Sequence, residues 1–498
     1  METYMQTDDR SLDVKISNGW IIDGLATPRW RGDVGIRDGR IVAVGDLSAW
    51  HADQLLDASG HVVAPGFIDT HGHDDLMFIE RPVLDWKTSQ GITTVVVGNC
   101  GVSAFPTPLP GNSAAALALL GDSPLFEDMA QYVQAVRNLK PMINVAALVG
   151  HANLRMAVMQ DPLAQPTEAE QTAMESLLAQ ALQDGAVGFS TGLAYEPGCM
   201  ADQAELEGLA RVAATKGSLH TSHIRNEGDT VQESVEEVLA VARQTQCATL
   251  VSHHKCMMPA NWGRSAHTLA NIDQARADGV QATLDIYPYS GSSTILIPER
   301  AHTIDQIRIT WSEPHPECNG QYLADIAEQW GCDRETAARR LLPAGAIYFA
   351  MDEKEVQRIF SHPCCMVGSD GLPADAHPHP RLWGSFTRIL GRYVREDGLM
   401  SLEQAVAKMT AMPASVFGLE NRGVLQVGAW ADLVVFNPET VQDCATWEQP
   451  TLPSQGVQTV FVNGVQVHPV APEKRPGQVL NRAFAAQAQS LDAPIIPL

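Results

Sequence analysis

Two histidines separated by one glycine follow an apolar stretch early in the sequence. The stretch Val62-Val-Ala-Pro-Gly-Phe-Ile-Asp69 predicts a buried strand, and only Thr70 separates it from His71-Gly-His73. Side chains two positions apart on an extended segment point to the same face, so both imidazoles aim at one spot. Two converging imidazoles can bind a divalent metal such as zinc. Taken alone, the pattern also fits two surface histidines, so the rest of the chain has to decide.

Other side chains that bind metals also stand where apolar stretches end. Cys100 on its own fits an inert buried thiol and Asp370 a helix N-cap, but each follows a predicted strand. Imidazoles, a thiol and a carboxylate at successive strand ends are hard to explain as core filling, so the sequence predicts a metal site. The side chains concerned are Cys100, His151, His220, His223, His253, His254 and Asp370.

Two of the strand ends offer a choice between imidazoles. His220 and His223 differ by three positions and face opposite sides of a strand, and we favour His223, which is nearer the end. His253 and His254 also face opposite ways, and we favour His253. Lys255 then shares the inward face with His253, where its ammonium would suit an anionic group of a substrate.

Strand and helix patterns alternate over the middle of the chain. Helical segments lie between most of the strands; one begins at the capping box Thr167-Glu-Ala-Glu170. Apolar strands alternating with helices predict a (β/α)₈ TIM-like barrel of the α/β class, with a doubly wound sheet as the alternative. The predicted strands are His61–Asp69, Ile92–Gly98, Ile143–Val149, Gly185–Ser190, Gly217–His223, Ala248–His253, Val280–Ile286 and Cys364–Gly368.

The connection between the seventh and eighth predicted strands is too long for a simple loop. We therefore expect an inserted lid at about residues 290–350, with helices near Gln321–Trp330 and Arg334–Leu342. A cover over the barrel mouth and a peripheral decoration fit this insert equally well.

Both ends of the chain have alternating β patterns with hairpin signals. Asp38-Gly39 stands at such a turn near the start, and Asn463-Gly464 near the end. We predict one small β-sandwich built from residues 1–61 and 423–498, and a catalytic barrel at residues 62–422 that carries the insert.

Composition limits the partners and the compartment. The net charge of −24 argues against nucleic acid or an anionic membrane as partner. The nine cysteines have no framework spacing, which favours reduced thiols. Met1–Asp9 has neither a basic region nor an apolar core, so we expect no signal peptide and a cytoplasmic location. The sequence does not indicate an oligomeric state.

Several motifs carry a resemblance to a known family. Pro65–His73 resembles the opening signature of the amidohydrolase superfamily, and Gly423–Phe436 resembles its C-terminal signature. Within that superfamily the chain resembles the D-aminoacylase (N-acyl-D-amino-acid deacylase) family over nearly its whole length. The segments that carry this are Gly98–Gly101, Gly192–Gly198, His220–Glu227, Ser252–Lys255, Asp285–Tyr289, Gly368–Asp370 and Pro380–Phe386.

The resemblance implies a ligand set and a reaction. Zinc would bind tightly to Cys100, His223 and His253. A second, weaker position would share Cys100. The implied reaction is hydrolysis of the amide bond of an N-acyl-D-amino acid, and the preference for the D configuration rests on the resemblance alone. The ligands of the weaker position would be His71, His73 and Asp370.

The expected chemistry assigns roles to further side chains. Asp370 would take a proton from water and pass it to the leaving nitrogen. Lys255, Tyr287 and Arg381 are the candidates for binding the α-carboxylate of the substrate. Tyr195 would donate a hydrogen bond to the oxyanion.

Other interpretations remain open from the sequence. A cyclic amidase or deaminase on the same scaffold is one, and a relative that has lost catalysis is another. For the side chain of the substrate, Ile295-Leu-Ile297 favours an apolar residue, whereas Arg300 would suit D-glutamate or D-aspartate. We expect apolar D-residues.

Overall fold

The computed structural model describes residues 10–121, 123–473 and 475–482. Our interpretation of Met1–Asp9 as lacking a signal peptide therefore concerns residues outside this description. Within the described ranges, no helix is both long enough and apolar enough to cross a membrane.

The strands of the described chain fall into three sheets. In chain order they are β1 Ser11–Ile21, β2 Trp30–Arg37, β3 Arg40–Gly45, β4 His51–Asp57, β5 Val62–Pro65, β6 Phe67–Asp69, β7 Ile92–Val97, β8 Asn144–Gly150, β9 Gly188–Gly192, β10 Leu219–His223, β11 Ala248–Val251, β12 Ala282–Ile286, β13 Ser292–Ile295, β14 Ile307–Ser312, β15 Ala344–Tyr348, β16 Cys365–Val367, β17 Leu433–Phe436, β18 Val457–Val462, β19 Val465–His468 and β20 Val479–Leu480.

Helices fill most of the connections between these strands. The predicted capping box at Thr167 and Glu170 forms at the start of the fifth helix. The α-helices are α1 Met77–Glu80, α2 Asp85–Thr88, α3 Met129–Leu139, α4 His151–Val158, α5 Glu168–Gln183, α6 Gln203–Thr215, α7 Val231–Thr245, α8 Ser265–Ala277, α9 Leu323–Trp330, α10 Arg334–Leu341, α11 Glu353–Ser361, α12 Arg381–Arg388, α13 Leu402–Met409 and α14 Ala411–Phe417. Short 3₁₀ turns lie at Ala115–Leu120, Gly198–Met200, Pro259–Asn261, Pro298–His302 and Pro316–Cys318, and a π-helix at Ile389–Glu396.

A parallel barrel forms the centre of the molecule. Its strands pair in the order β6-β7-β8-β9-β10-β11-β12-β16. The sheet closes where Gly72 bridges Gly371 and the Asp370 N–H donates to the His71 carbonyl at 2.7 Å. Each barrel strand corresponds to one predicted from an apolar run, which confirms the barrel. Beneath the rim it is filled by side chains such as Ile68, Val96, Ala146, Leu148, Leu219, Leu250 and Met366.

The first predicted barrel strand is divided in the structure. Only β6 lies in the barrel, whereas β5 pairs with β1 and β17 in a separate sheet. Gly66 lies at the division, where a Cβ would stand 2.2 Å from Thr93 Cγ2. A side chain at this position would therefore collide with β7, and the absence of one lets the chain pass from one sheet to the other.

Strands from both ends of the chain share one sheet. Its order is β19-β18-β17-β5-β1-β2-β3, and β4 also pairs with β1. Buried residues of this sheet, including Ile16, Val34, Val63 and Phe461, form an apolar core separate from that of the barrel. The short strand β20, which the sequence did not indicate, pairs with β8 of the barrel.

The long insert between β12 and β16 covers the barrel mouth. It holds α9, α10 and an antiparallel sheet of order β13-β15-β14. From this sheet, Thr294 Oγ1 lies 2.9 Å from the Tyr195 hydroxyl, and the Ser293 carbonyl accepts a hydrogen bond from Arg381 at 3.0 Å. These contacts reach across the rim, so the insert is the predicted lid and not a peripheral decoration. The sequence indicated its helices but not its sheet.

A fully buried lysine ties the first barrel strand to the last. Lys87 Nζ lies 2.7 Å from Asp69 Oδ2 and 2.9 Å from Asp74 Oδ2, and it donates to Ser369 Oγ at 3.1 Å. Burial lowers the pKa of Lys87, but the two carboxylates raise it more, so the pKa lies above its ordinary value. The ammonium is therefore charged and compensates two buried carboxylates.

Replacing this lysine by methionine is expected to destabilise the fold. Lys87→Met leaves Asp69 and Asp74 buried without their cation, and breaking a buried pair in this way costs about 3–5 kcal/mol. Urea unfolding measures the free energy of unfolding of the variant. The matched control is Lys354→Met, at an exposed position, which should stay within about 0.5 kcal/mol of the parent. A Lys87→Met chain with the parental urea midpoint would contradict the role given to this cation.

Candidate metal centre and active site

The side chains predicted as ligands meet at the carboxyl-terminal rim of the barrel. Each stands at or just after the end of a barrel strand, where parallel strands point their last residues to one place. We call this set the rim cluster: His71, His73, Cys100, His223, His253 and Asp370.

The thiol of Cys100 is at the centre of the rim cluster. Its Sγ lies 3.2 Å from His71 Nε2, 3.3 Å from His253 Nε2 and 3.6 Å from His223 Nδ1. Burial raises the pKa of the thiol, but the neighbouring imidazoles His71 and His253 lower it more, so the pKa lies well below its ordinary value. The structure therefore places a thiolate among three ring nitrogens.

The carboxylate of Asp370 lies on the other side of the same point. Its Oδ1 is 3.3 Å from His73 Nε2 and 3.6 Å from His71 Nε2, while its Oδ2 is 2.8 Å from Arg381. Burial raises the pKa of Asp370, but the Arg381 guanidinium and the imidazoles lower it more, so the pKa lies well below its ordinary value. The group is ionised at neutral pH and can accept a proton.

The donor set of the rim cluster fits a zinc ion. Ligand atoms of His71, Cys100, His253 and Asp370 lie within 4.8 Å of one another, and all four residues are buried. Thiolate sulfur and imidazole nitrogen are the ligands that zinc prefers. A divalent cation between the buried thiolate and carboxylate would be bound by both negative charges and by the ring nitrogens around them.

The backbone is strained at three members of the rim cluster. Cys100, His253 and Asp370 have φ angles of +54°, +34° and +50°. Residues other than glycine rarely adopt this left-handed region, at a cost of about 1–3 kcal/mol each, and they keep it where the surrounding structure fixes them. The chain thus holds all three side chains toward one point at a cost in stability.

Two carboxylates support the imidazoles from behind. Asp285 accepts a hydrogen bond from the backbone N–H of His253, and its Oδ2 lies 3.8 Å from His71 Nδ1. Glu227, in the loop after β10, lies 3.2 Å from His253 Nδ1 and 2.5 Å from Lys255 Nζ. Sequence reasoning gave neither of them a role. For both a signal existed, since Glu227 ends the family-like segment that begins at His220 and Asp285 begins another.

A small cavity opens above the rim cluster and is covered by the lid. Its wall includes Tyr195, Lys255 and Arg300, together with the apolar side chains of Leu119 and Leu372. The Tyr195 hydroxyl is bonded to the lid, and the Tyr195 ring centroid lies 4.7 Å from that of His223. The structure therefore brings one predicted oxyanion donor and one predicted carboxylate-binding cation to the wall.

Two other predicted substrate ligands lie behind the wall. The Arg381 guanidinium stacks 4.4 Å from the centroid of the Tyr287 ring, and the Tyr287 hydroxyl points to Met351 Sδ at 3.7 Å. Arg381 instead contacts Asp370 directly, a role that the sequence did not indicate. Their contact with a substrate stays a prediction.

The imidazoles that we did not favour lie away from the thiolate. His220 stacks on Phe189 with ring centroids 4.6 Å apart, and His254 Nε2 contacts Thr268 Oγ1 at 2.7 Å. His151, left undecided by the sequence, contacts Glu205 at 2.7 Å. All three are buried by the fold and paired within it.

Comparison with known proteins identifies the family. The amidohydrolase family matches residues 54–311 and 320–468, which cover both the terminal sheet and the barrel. The chain belongs to the amidohydrolase family. This finding confirms the superfamily resemblance that the sequence motifs indicated.

Relatives of this amidohydrolase are similar over almost its whole length. N-acyl-D-glutamate deacylase from Alcaligenes xylosoxydans xylosoxydans is 72% identical over 95% of this chain and 97% of the relative. The crystal structure of N-acyl-D-glutamate deacylase from Bordetella bronchiseptica, complexed with zinc and a phosphonate that mimics the tetrahedral intermediate, is 71% identical, with a TM-score of 0.94, and covers 95% of this chain and 100% of its own. A solved structure of D-aminoacylase, described as having a binuclear metal centre with one-metal activation and second-metal attenuation, is 44% identical over the same shares, with a TM-score of 0.91.

Proposed function

We propose that this amidohydrolase uses zinc to hydrolyse the amide bond of N-acyl-D-amino acids, releasing a carboxylate and a free D-amino acid with an acidic side chain. The observation that carries the proposal is the rim cluster itself, a thiolate among imidazoles facing the Asp370 carboxylate beneath a cavity lined by Lys255 and Arg300. Similarity to N-acyl-D-glutamate deacylase over 97% of that relative supports it.

We assign two metal positions to the rim cluster. Following the family resemblance, we assign the tight zinc to Cys100, His223 and His253, whose thiolate and imidazole groups are ligand types that zinc prefers. A weaker position would share Cys100 and take the remaining members of the cluster, which are His71, His73 and Asp370.

The residues around the metal positions have different roles in hydrolysis. A bound zinc ion supplies a Lewis acid that polarises a carbonyl and makes hydroxide available near neutral pH. Asp370 Oδ1 takes the proton of the attacking water and passes it to the leaving nitrogen, which becomes the free amine. Arg381 holds Asp370 Oδ2 at 2.8 Å, so the carboxylate keeps one oxygen turned to the reacting atoms.

The α-carboxylate of the substrate would bind beside Lys255. The Lys255 ammonium lies on the cavity wall, and its Nζ is 5.7 Å from the centroid of the Tyr287 ring. Arg381 stacks on the same ring, and its buried Nε has no hydrogen-bond partner within the described part of the chain. A buried donor without a partner is costly, so a carboxylate that reaches it would be well bound. Tyr195 would donate to the oxyanion from the lid side.

Arg300 is the proposed ligand for an acidic side chain of the substrate. Its guanidinium stacks on the Tyr348 ring at 4.7 Å, lines the cavity and has no carboxylate within ion-pair distance in the described ranges. The segment Ile295–Ile297, which favoured an apolar substrate, does not line the cavity. Arg300 on the cavity wall, together with the similarity to N-acyl-D-glutamate deacylase, supports D-glutamate over the apolar D-residues that we expected from the sequence.

Amine release from three substrates tests the proposed function. We expect turnover of N-acetyl-D-glutamate, weaker turnover of N-acetyl-D-methionine and none of N-acetyl-L-glutamate, with zinc counted on the same sample. Arg300→Met should lower kcat/KM for the D-glutamate substrate about 10- to 100-fold, since a charge-assisted hydrogen bond is worth about 1.5–3 kcal/mol. The same change should leave the D-methionine substrate within about twofold.

A second arginine of the lid serves as the matched control. Arg339 is exposed and paired with Glu299 and Glu335, so Arg339→Met should leave all three rates unchanged. Equal effects of both changes on the D-glutamate substrate would contradict a specific role for Arg300. If zinc is present and none of the three substrates reacts, the deacylase proposal fails, and hydantoins and dihydropyrimidines become the next substrates to test.

The remaining proposals concern location and partners. We keep a cytoplasmic location as a proposal, supported by nine cysteines that are all free thiols in the structure. The partner we propose is the small-molecule substrate, and the net charge of −24 speaks against nucleic acid.

A further inference from the structure

Glu227 stands between two imidazoles of the rim cluster and an ammonium. Its Oε1 lies 3.2 Å from His253 Nδ1, 3.9 Å from His223 Nε2 and 2.5 Å from Lys255 Nζ. Each imidazole turns its other nitrogen toward the Cys100 thiolate, at 3.3 Å for His253 and 3.6 Å for His223. The carboxylate thus faces the two rings on the side away from the thiolate.

The Lys255 ammonium approaches the same nitrogen of His253. Lys255 Nζ lies 2.9 Å from His253 Nδ1, and an ammonium can only donate hydrogen bonds. A carboxylate can only accept them, so Glu227 and Lys255 favour opposite proton positions on this ring. Because the ammonium already occupies the space beside the Glu227 carboxylate, these residues do not form a second cation site with His223.

A neutral imidazole carries one N–H and one lone pair, and only the lone pair binds a metal. If the ammonium of Lys255 donated to His253 Nδ1, the proton of the ring would sit on Nε2 and face the thiolate. If Glu227 accepts from Nδ1, the lone pair of Nε2 faces the thiolate instead. The carboxylate therefore decides whether His253 can act as a ligand.

We propose that Glu227 is a positioning residue that fixes the metal-binding tautomer of His253 against the competing Lys255 ammonium. The inference rests on the proposed zinc function, and it adds a determinant of metal affinity that does not touch the metal. It predicts that Glu227 is needed for zinc binding because Lys255 is present. Removing both groups should therefore lower zinc affinity less than removing Glu227 alone.

Zinc affinity of purified full-length protein tests this, measured by competition with a chromogenic chelator. Glu227→Gln keeps the shape of the side chain and should weaken zinc binding about 10- to 100-fold. The double variant Glu227→Gln, Lys255→Met should recover most of that loss. As matched control, Glu205→Gln changes a buried carboxylate that also contacts a histidine, His151, outside the rim cluster, and zinc affinity should stay at the parental value.

A spectroscopic readout separates positioning from general loss of structure. In metal-free protein with ¹⁵N-labelled histidine, His253 should carry its proton on Nδ1 in the parent and on Nε2 in Glu227→Gln. A parental proton position in the variant, or zinc affinity within twofold of the parent, would overturn the inference. A raised KM with unchanged zinc affinity would also overturn it, because Glu227 would then act on the substrate through Lys255.

Single replacement of the lysine keeps the inference testable if Glu227→Gln does not fold. Lys255→Met leaves the carboxylate without its competitor, so zinc should bind as tightly as in the parent or more tightly. Weaker zinc in this variant would overturn the inference. If the parent binds no zinc at all, the proposed function fails; if it binds zinc and Glu227→Gln binds equally well, only the role of Glu227 fails.

Discussion

Asp370→Asn is expected to abolish turnover while the tight zinc stays bound. The amide keeps the shape of the carboxylate and can still accept from Arg381, but it cannot take up a proton. General acid–base catalysis contributes about 10²–10⁴ in rate, so kcat should fall by that factor. Cys100, His223 and His253, which we assign to the tight position, are unchanged in this variant.

Two measurements on one sample test this prediction: the rate at saturating substrate and the number of zinc ions bound per chain. The matched control is Asp375→Asn, a buried carboxyl in the same loop whose pKa burial raises to about 7. An amide imitates the protonated form of that group, so turnover and zinc should both persist. Full activity of Asp370→Asn would refute its role as the base, and loss of the tight zinc would make it a ligand of that position.

Cys100→Ala is expected to remove zinc and with it all turnover above background. The Sγ atom is the group that both proposed metal positions share, and it is the only thiolate ligand of either. Zinc binds thiolate far better than a methyl group or water, so neither set of imidazoles should keep the metal during dialysis. Metal analysis after dialysis and amine release from N-acetyl-D-glutamate measure the two losses.

A second buried cysteine provides the control for this change. Cys247 immediately precedes β11, and burial raises the pKa of its thiol to about 12. It has no imidazole at its sulfur in the described ranges, so Cys247→Ala should keep zinc and turnover. Thermal unfolding of both variants checks that the fold survives. A Cys100→Ala protein that retains stoichiometric zinc would contradict the ligand assignment.

Most of the barrel was predictable because its strands are buried on both faces. The strand Ile92–Val97 is buried at every position and β-branched throughout, as expected for a parallel barrel strand. The choice of His223 over His220 followed from strand alternation, and the structure brings only His223 to the thiolate. The local sequence pattern and the position along the strand were therefore enough to predict the barrel strands and to choose His223 over His220.

Other features could not be predicted because their cause lies far away in the sequence. Lys87 looks like a surface lysine in a short helix until Asp69 and Ser369 are folded around it. Arg381 begins α12, the helix that follows Asp370, and nothing local indicates that the two will pair. The lid strand Ser292–Ile295 is mostly polar, and its pairing partner is β15, a strand much later in the insert. Tertiary packing, not propensity, determines these features.

The position of β5 has a consequence for how the protein is made. This strand lies between β1, from the start of the chain, and β17, from near its end. During translation the edge of β5 that will receive β17 stays open until almost the whole polypeptide has left the ribosome. The first barrel strand follows β5 directly, so the nascent chain starts its barrel next to a sheet that is completed last. Unpaired strand edges invite association, and synthesis of this protein therefore exposes such an edge for most of its duration.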